Sequence, residues 1–294
     1  MITQTLLPLV SENRERVLIV DDSLYSRARS KSVEMLVLVH DHTTGNFVRG
    51  FRMLTLGWSD GNTFILLAFS PLSSENKKNR FQEMNSNADK RTVGYNRRKE
   101  AVKKSTEALF DLLDDVNPLQ LCAKTLLFDS WFAFLKVIKR VVSNYPLDVI
   151  CMLKRLHRVY YTYERQEYTL SQLYQTVRKK RGRARILTSV LVGLGPDSEG
   201  KELQARIVFV RDRNCSKNWL AILSTNTELP DEKIVRLYGK RWDIECFFKV
   251  AKSHLALGKE FQCRSYDAMV AHTKLVFTRY IMLAIRTCEE KDPR

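Results

Sequence analysis

Residues 17–23, with the sequence VLIVDDS, join an apolar run rich in β-branched residues to two aspartates and a serine. Such a run is typical of a buried strand, and the polar residues that follow it are typical of a strand end. Residues 124–132, KTLLFDSWF, repeat this arrangement and place Asp129 after a second apolar run. We therefore expect Asp21, Asp22 and Asp129 at the carboxyl ends of strands, the edge at which open α/β sheets bind their ligands.

Three further segments predict a meander of antiparallel strands, because apolar runs alternate with turn residues. They are residues 34–45, 47–61 and 62–70, and the turns between them carry the sequences TTGN and SDGN. The next stretch, residues 71–98, is polar and basic, which favours a mobile loop over a domain. Residues 97–116 then show apolar residues at helical spacing and predict one amphipathic helix.

The second half of the chain differs in composition from the first. Residues 156–229 are rich in β-branched and aromatic residues with turn signals between them, which predicts an inserted, mainly β subdomain. Residues 231–255 follow Pro230, begin with two acids and contain no helix breaker after Gly239, so we expect one long helix there. A last helix is predicted over residues 266–290. The fold class is therefore α/β.

Composition and charge limit the classes of partner. The chain has 294 residues, 44% of them hydrophobic, which is enough for a full core. Lys and Arg number 49 against 33 Asp and Glu, a net charge of +16 that favours a polyanionic partner, nucleic acid before an anionic membrane. We find no apolar run near the roughly 20 residues that span a bilayer and no signal-peptide pattern. A cytoplasmic protein without a membrane partner is the prediction.

Cysteine and histidine spacing indicates which metals are plausible. Six cysteines and five histidines form neither a C-x-x-C pair nor an H-x3-H arrangement, so neither a zinc site nor a disulfide framework is indicated. A bound metal would need carboxylate ligands. Oxygen ligands favour Mg²⁺ or Mn²⁺.

Four polar residues on the predicted long helix share one stripe beside its apolar face: Tyr238, Arg241, Glu245 and Lys252. The simplest interpretation is an ordinary ion pair between Arg241 and Glu245, worth roughly 0.2–0.5 kcal/mol on a solvated face. That interpretation does not explain why a phenol and a second cation lie on the same stripe.

The spacing Tyr238-x2-Arg241-x3-Glu245-x6-Lys252 resembles the Y-(2)-R-(3)-E-(6)-K signature of bacterial insertion-sequence transposases of the IS-four-like DDE family. The resemblance extends over almost the whole chain, from the IVDDS strand through LLFDSWF to the signature helix. It implies a ribonuclease-H-like catalytic core, a mixed sheet flanked by helices. It also implies that the mainly β insertion lies between the second and third acidic residues.

By the same resemblance, Asp21, Asp129 and Glu245 would be the catalytic and metal-binding carboxylates. Asp22 is the alternative to Asp21, and otherwise a strand-end cap. The resemblance implies two Mg²⁺ or Mn²⁺ ions, roughly 3.5 to 4 Å apart in such enzymes. The expected reaction is hydrolysis at a transposon end, after which the freed 3′-OH attacks target DNA, that is, cut-and-paste transposition.

The resemblance also predicts residues that bind DNA. Tyr238 and Arg241 would contact the phosphates beside the scissile bond, and Lys252 would add a point charge. Trp242 and Trp219 match tryptophans on which relatives stack a flipped base during hairpin cleavage, although core packing is the alternative for both. Phosphate contact is further expected from two basic runs, residues 77–98 and 178–185.

The predicted domains are an N-terminal segment (1–16), a discontinuous catalytic core (17–155 and 230–288), the insertion (156–229) and a tail (289–294). Expected partners are double-stranded DNA, as transposon inverted-repeat ends and as target, and a second copy in a homodimer on DNA. The expected location is the bacterial cytoplasm, at the nucleoid.

Two other functions remain open at this stage. Only 20 residues precede Asp21, where relatives usually carry a separate DNA-binding domain. A truncated, catalytically inactive DNA-binding protein derived from a transposase is therefore the main alternative. A ribonuclease-H-like nuclease that does not transpose would share the acids without needing the whole signature.

Overall fold

The computed structural model describes residues 13–41, 44–180, 182, 184–197, 199–215, 218–259 and 261–291. The chain divides into two compact units. The first contains the described parts of Met1–Arg14, Val20–Asn117 and Asp243–Arg294. The second contains Glu15–Ile19 and the described parts of Pro118–Trp242.

Four strands build the sheet of the first unit: β1 (Val17–Ser26), β2 (Val37–His40), β3 (Phe47–Ser59) and β4 (Phe64–Leu72). The first three residues of β1 belong to the second unit. β3 pairs antiparallel with β2 through its first half and with β4 through its second half. In the turn between β3 and β4, Asp60 Oδ1 accepts hydrogen bonds from the backbone N–H groups of Asn62 and Thr63. The predicted meander is confirmed, while part of the TTGN turn lies outside the described residues.

β1 is longer than predicted. We expected it to end at Asp21 and Asp22, but it continues to Ser26, so both aspartates lie within the strand. The reason is pairing with β3, which the local sequence does not reveal. A Cβ atom on Gly50 would lie 2.3 Å from the Tyr25 carbonyl oxygen, so only glycine allows the two backbones to run this close.

The predicted helix over residues 97–116 is two helices, α1 (Val93–Ala101) and α2 (Ser105–Asp115). The carbonyl oxygen of Ala101 accepts a hydrogen bond from the Ser73 backbone N–H at 2.7 Å. Lys104 is extended, with ψ of 144°. This tertiary hydrogen bond ends α1, and the helix prediction was wrong at that point. Before α1, the predicted loop contains a short 3-10 helix, Lys77–Asn79.

Two more helices belong to the first unit, α6 (Trp242–Ser253) and α7 (Tyr266–Lys291). Only Trp242, the first residue of α6, belongs to the second unit. α7 packs on β4, where Phe277 and Phe69 meet edge to face with ring centroids 4.9 Å apart. The last helix was predicted correctly. By length and composition α7 could also cross a membrane, which we had not expected, but core helices of water-soluble proteins pass the same test.

The second unit contains most of the remaining strands and helices. Its strands are β5 (Thr125–Phe128), β6 (Asp148–Met152), β7 (Tyr160–Tyr163), β8 (Gln166–Thr169), β9 (Ile186–Pro196), β10 (Glu202–Arg211) and β11 (Trp219–Ser224). Its helices are α3 (Leu135–Asn144), α4 (Leu170–Thr176) and α5 (Asp231–Gly239). β5 and β6 are parallel, whereas β6–β11, β11–β10, β10–β9, β9–β7 and β7–β8 are antiparallel.

The fold is therefore α/β, a large mixed sheet flanked by helices, as predicted. The β-rich character of residues 156–229 is also confirmed. The strands of this segment continue the sheet, because β11 pairs directly with β6. The predicted domain boundaries stay a prediction.

The long helix predicted over residues 231–255 is interrupted, and this prediction was wrong. α5 ends at Gly239 and α6 begins at Trp242. Between them the backbone N–H groups of Lys240 and Arg241 bond to carbonyls three residues earlier, which tightens the chain into a turn. The Lys240 ammonium donates a hydrogen bond to the Glu15 carbonyl oxygen, a partner far away in the sequence.

Candidate active site

The two adjacent aspartates of β1 have different surroundings in the first unit. Asp22 Oδ1 accepts a hydrogen bond from Arg52 Nη1 at 2.8 Å, and the two side chains are only 10% and 18% exposed. Asp22 and Arg52 line one small cavity together with Ser23 and Lys252. Asp22 is thus part of an ion pair close to these two side chains.

Ser23 lies beside the last residue of the signature. Lys252 Nζ donates a hydrogen bond to Ser23 Oγ at 2.5 Å. Burial lowers the pKa of Lys252, and the charge of Asp41 opposes that shift. Lys252 therefore lies against β1, beside the residue that follows the two aspartates.

α6 holds Glu245 and Lys252 by burying its apolar side, formed by Ile244, Phe247, Phe248 and Ala251. Glu245 and Lys252 are seven residues apart, two turns of helix, and so lie on one side of α6. Both are partly exposed. The first unit thus presents Asp21 on β1, and Glu245 with Lys252 on α6.

Asp129 directly follows β5, whose four residues are all buried. Its Oδ1 accepts a hydrogen bond from the Trp131 backbone N–H at 2.8 Å, which fixes the turn after the strand. In the parallel register Phe128 is opposite Cys151 on β6. Burial, and to a smaller extent the charge of Asp129, raise the pKa of the Cys151 thiol. The predicted position of Asp129 at a strand end is confirmed.

Tyr238 and Arg241 lie near Asp129 within the second unit. Burial raises the pKa of Tyr238 to about 12, with Arg241 opposing the shift and the charge of Asp129 adding to it. The Arg241 guanidinium carbon is 5.9 Å from the centre of the Tyr238 ring. The phenol is therefore neutral at physiological pH, and it shares its surroundings with a cation and a carboxylate.

The signature does not form one helical stripe, because the chain turns at Lys240 and Arg241. Tyr238 lies on α5, Arg241 in the turn, and only Glu245 and Lys252 share a helix. The single-stripe prediction was wrong for this reason.

The two predicted stacking residues differ in their environments. The Trp219 ring stacks on Tyr174 with centroids 4.4 Å apart, and the Arg155 guanidinium carbon lies 4.0 Å from its centre. Phe209 meets it edge to face at 5.2 Å. Trp242, at the start of α6, is 61% exposed. Trp219 is thus packed within its unit, as the alternative interpretation describes, while stacking by either residue stays a prediction.

Sequence reasoning missed the neighbours of Asp129. Trp131 is 41% exposed, and Lys154 Nζ lies 4.9 Å from the centre of its ring. Lys154 follows β6 just as Trp131 follows β5. Knowledge that β5 and β6 are parallel would have placed both residues at one edge. The ion pair of Asp22 with Arg52 was missed as well.

The predicted metal ligands belong to both units, Asp21 and Glu245 to the first and Asp129 to the second. Within the described part of the chain, no group of three or more His, Cys, Asp or Glu side chains is arranged to hold a metal ion. The donor chemistry nevertheless suits Mg²⁺ or Mn²⁺, because carboxylate oxygens are the ligands that these ions prefer.

A large mixed sheet flanked by helices, with aspartates on β1 and directly after β5, is the architecture expected of ribonuclease-H-like nucleases. Comparison with protein families gives the particular group. The profile described as DDE superfamily endonuclease matches residues 1–203. The chain belongs to this family, whose members typically use divalent metal ions and act as nucleases or transposases. A comparison with curated proteins found no match.

The family match includes Asp21 and Asp129 and ends before α5. Glu245 and the other signature residues therefore lie beyond the matched range. Their assignment depends on the Y-(2)-R-(3)-E-(6)-K spacing and on the contacts described above.

Proposed function

We propose that this chain is a DNA transposase of the IS-four-like type. It would cleave the ends of its element and transfer the freed 3′-OH into target DNA. The observation that carries the proposal is the hydrogen bond from Lys252 to Ser23, because it links the signature helix to the strand of the first acid. The family match over residues 1–203 supports the nuclease chemistry independently of this contact.

Asp21, Asp129 and Glu245 would hold the divalent metal ions, two of them being expected. When bound, such ions supply activation of the attacking oxygen and stabilisation of the leaving oxygen. Asp21 is preferred over Asp22, because Asp22 is engaged in an ion pair with Arg52.

The remaining signature residues would bind and orient the DNA. Arg241 offers a planar donor group suited to two phosphate oxygens at once. Tyr238 is a neutral phenol, and burial raises its pKa further, to about 12. Its hydroxyl could donate a hydrogen bond to a phosphate oxygen. Lys252 would supply a positive charge beside β1. None of these groups needs to form a covalent intermediate.

The partners in this proposal are double-stranded DNA, as inverted-repeat ends and as target, and a second copy of the chain on that DNA. The net charge of +16 supports a polyanionic partner. The location that goes with this function is the bacterial cytoplasm, at the nucleoid.

The test uses DNA fragments that carry the genomic sequences on either side of the reading frame, with Mg²⁺ or Mn²⁺. We expect Glu245→Gln to reduce cleavage by about 1,000-fold or more, as removal of an essential catalytic group does, while DNA binding survives. Glu289→Gln, which changes an exposed glutamate on α7, is the matched control and should cleave like the wild type.

Other outcomes select other functions. Binding without cleavage by the wild type would favour the inactive DNA-binding protein. Cleavage without joining of the 3′-OH would favour a nuclease that does not transpose.

A further inference from the structure

A large groove in the first unit is lined by two chain segments, residues 26–33 after β1 and the described residues of 258–264 between α6 and α7. Its volume is about 1440 Å³, above the roughly 300–1,000 Å³ of ordinary small-molecule pockets. We name it the basic groove. Its size suits a polymer better than a small ligand.

Four exposed cations line the basic groove: Arg29, Lys31, Lys259 and Arg264. None of the described residues that line it carries a carboxylate. Like charges that converge in a groove create a positive potential, which attracts a polyanion and raises its rate of association. Three serines, Ser26, Ser30 and Ser32, add hydroxyl donors of the kind that contact phosphates.

The two walls of the basic groove are held together by a fifth cation, Arg27, which is only 9% exposed. Its guanidinium donates hydrogen bonds to the carbonyl oxygens of Phe261 at 2.9 Å and Cys263 at 3.1 Å. The Glu34 backbone N–H also donates to the Arg264 carbonyl oxygen at 2.8 Å. The walls are therefore fixed before any ligand binds, which lowers the entropic cost of binding.

The basic groove leads towards the first acidic strand. It shares Ser26, Gly258 and Lys259 with a smaller cavity of about 470 Å³. The lining of that cavity includes Ser23 and Lys252, the two residues joined by the signature hydrogen bond. A chain of phosphates lying in the basic groove would thus extend towards Ser23.

We propose that the basic groove binds the sugar-phosphate backbone of the DNA beside the cleaved bond, without reading its sequence. This inference rests on the proposed function, since it assigns a surface to the DNA that the enzyme would cut. Affinity falls as the salt concentration rises, and each phosphate contact made by a cation steepens the slope of log affinity against log salt concentration by roughly 0.9.

The test compares two double variants of equal charge change in binding to a duplex of arbitrary sequence. Arg29→Gln with Lys31→Gln removes two cations of the basic groove. Lys274→Gln with Arg279→Gln, the control, removes two exposed cations from α7. We expect the salt dependence of the first variant to be shallower by roughly 2 units of slope, so that its loss of affinity relative to the wild type is roughly tenfold larger at 0.05 M salt than at 0.2 M. The control should keep the wild-type slope and affinity.

A second variant, Lys259→Gln with Arg264→Gln, tests the opposite wall and should behave like the first. Wild-type slope and affinity in both groove variants would overturn the inference. So would unchanged DNA binding accompanied by lost binding to phosphatidylserine vesicles, because the groove would then be a lipid site.

These measurements need no cleavage, so failure of the inference can be told from failure of the proposed function. If the wild type binds DNA through the basic groove but never cuts, the groove assignment stands and the transposase assignment fails. If the wild type cuts DNA and the groove variants bind like the control, only the groove assignment fails.

Discussion

Lys252 donates a hydrogen bond to Ser23 across 229 positions of sequence, over a distance of 2.5 Å. This contact joins α6 to β1 within the first unit and sets Lys252 beside the residue that follows the two aspartates. Asp22 is engaged in the ion pair with Arg52. The sequence alone could not distinguish the two adjacent aspartates. The structure leads to different expectations for their substitution.

Asp21→Asn and Asp22→Asn should have different effects. Asp21→Asn removes the proposed metal ligand, so we expect metal-dependent cleavage to be lost while the free energy of unfolding changes little. Asp22→Asn removes the charge that compensates Arg52, so we expect unfolding to become easier by about 1–3 kcal/mol. Urea unfolding and a cleavage assay in Mn²⁺ check both. Loss of cleavage in a stable Asp22→Asn variant, with active Asp21→Asn, would reverse the assignment.

Lys252→Gln should slow cleavage without unfolding the protein. A charge-assisted hydrogen bond contributes roughly 1.5–3 kcal/mol, which corresponds to roughly 10- to 100-fold in rate. Lys252→Arg keeps the charge and should recover part of the activity, whereas loss of packing alone would not be rescued in this way. Single-turnover cleavage at saturating DNA is the measurement. Equal rates for wild type and Lys252→Gln would show that the charge has no role in the reaction.

Substitution of Trp219 should affect stability, whereas substitution of Trp242 should affect function. Trp219 packs between Tyr174 and Arg155, so Trp219→Ala is expected to lower the free energy of unfolding by about 1–3 kcal/mol. Trp242 is 61% exposed, and Trp242→Ala should stay within about 0.5 kcal/mol of the wild type. Trp242→Ala should slow formation or resolution of a DNA hairpin more than first nicking. Equal loss at both steps would remove the base-stacking role.

Arg98 should be important for stability alone. It is 3% exposed and bonds to Glu34 and Asp267 at 2.7 Å each. Arg98→Leu leaves Glu34 uncompensated, which is expected to cost about 3–5 kcal/mol. Arg286→Leu breaks an exposed pair with Glu290 and should cost under about 1 kcal/mol.

The same cluster predicts a pH dependence. Burial alone would raise the pKa of Glu34, but hydrogen bonds from Arg98 and from two backbone N–H groups outweigh burial and lower it. The stability from this carboxyl is therefore complete above its unfolded-state pKa of 4.5 and is lost as pH falls through the lower folded-state value. Urea unfolding at several pH values should show the gap between wild type and Arg98→Leu narrowing below pH 4.5. A constant gap would contradict this account.

Local sequence patterns predicted the strands well, because β-branched runs and turn residues act over short distances. They failed where contacts with residues distant in the sequence determine where a helix or strand ends. The end of α1 depends on a hydrogen bond from Ser73 to Ala101, and the continuation of β1 depends on Gly50 of β3. For the site, Asp129 could be placed from its own strand, whereas the ion pair of Asp22 needed the neighbouring strand.

The signature shows the same limit. Its spacing is readable in the sequence, but the spacing alone suggested one helix. The turn at Lys240 and Arg241 is held by contacts to Glu15, which no local pattern contains. The spacing therefore failed to predict the local geometry, and the roles of the four residues stay a prediction.

The central claim is that the chain cuts DNA with divalent metal ions held by carboxylates. The most direct test is cleavage of DNA carrying the genomic flanks by wild type and by Asp129→Asn, with Mg²⁺ and with EDTA. The account predicts nicks that leave a 3′-OH at the element boundary, present only for the wild type with metal. Cleavage that persists in EDTA or in Asp129→Asn, or a wild type that binds these ends without cutting them, would contradict it.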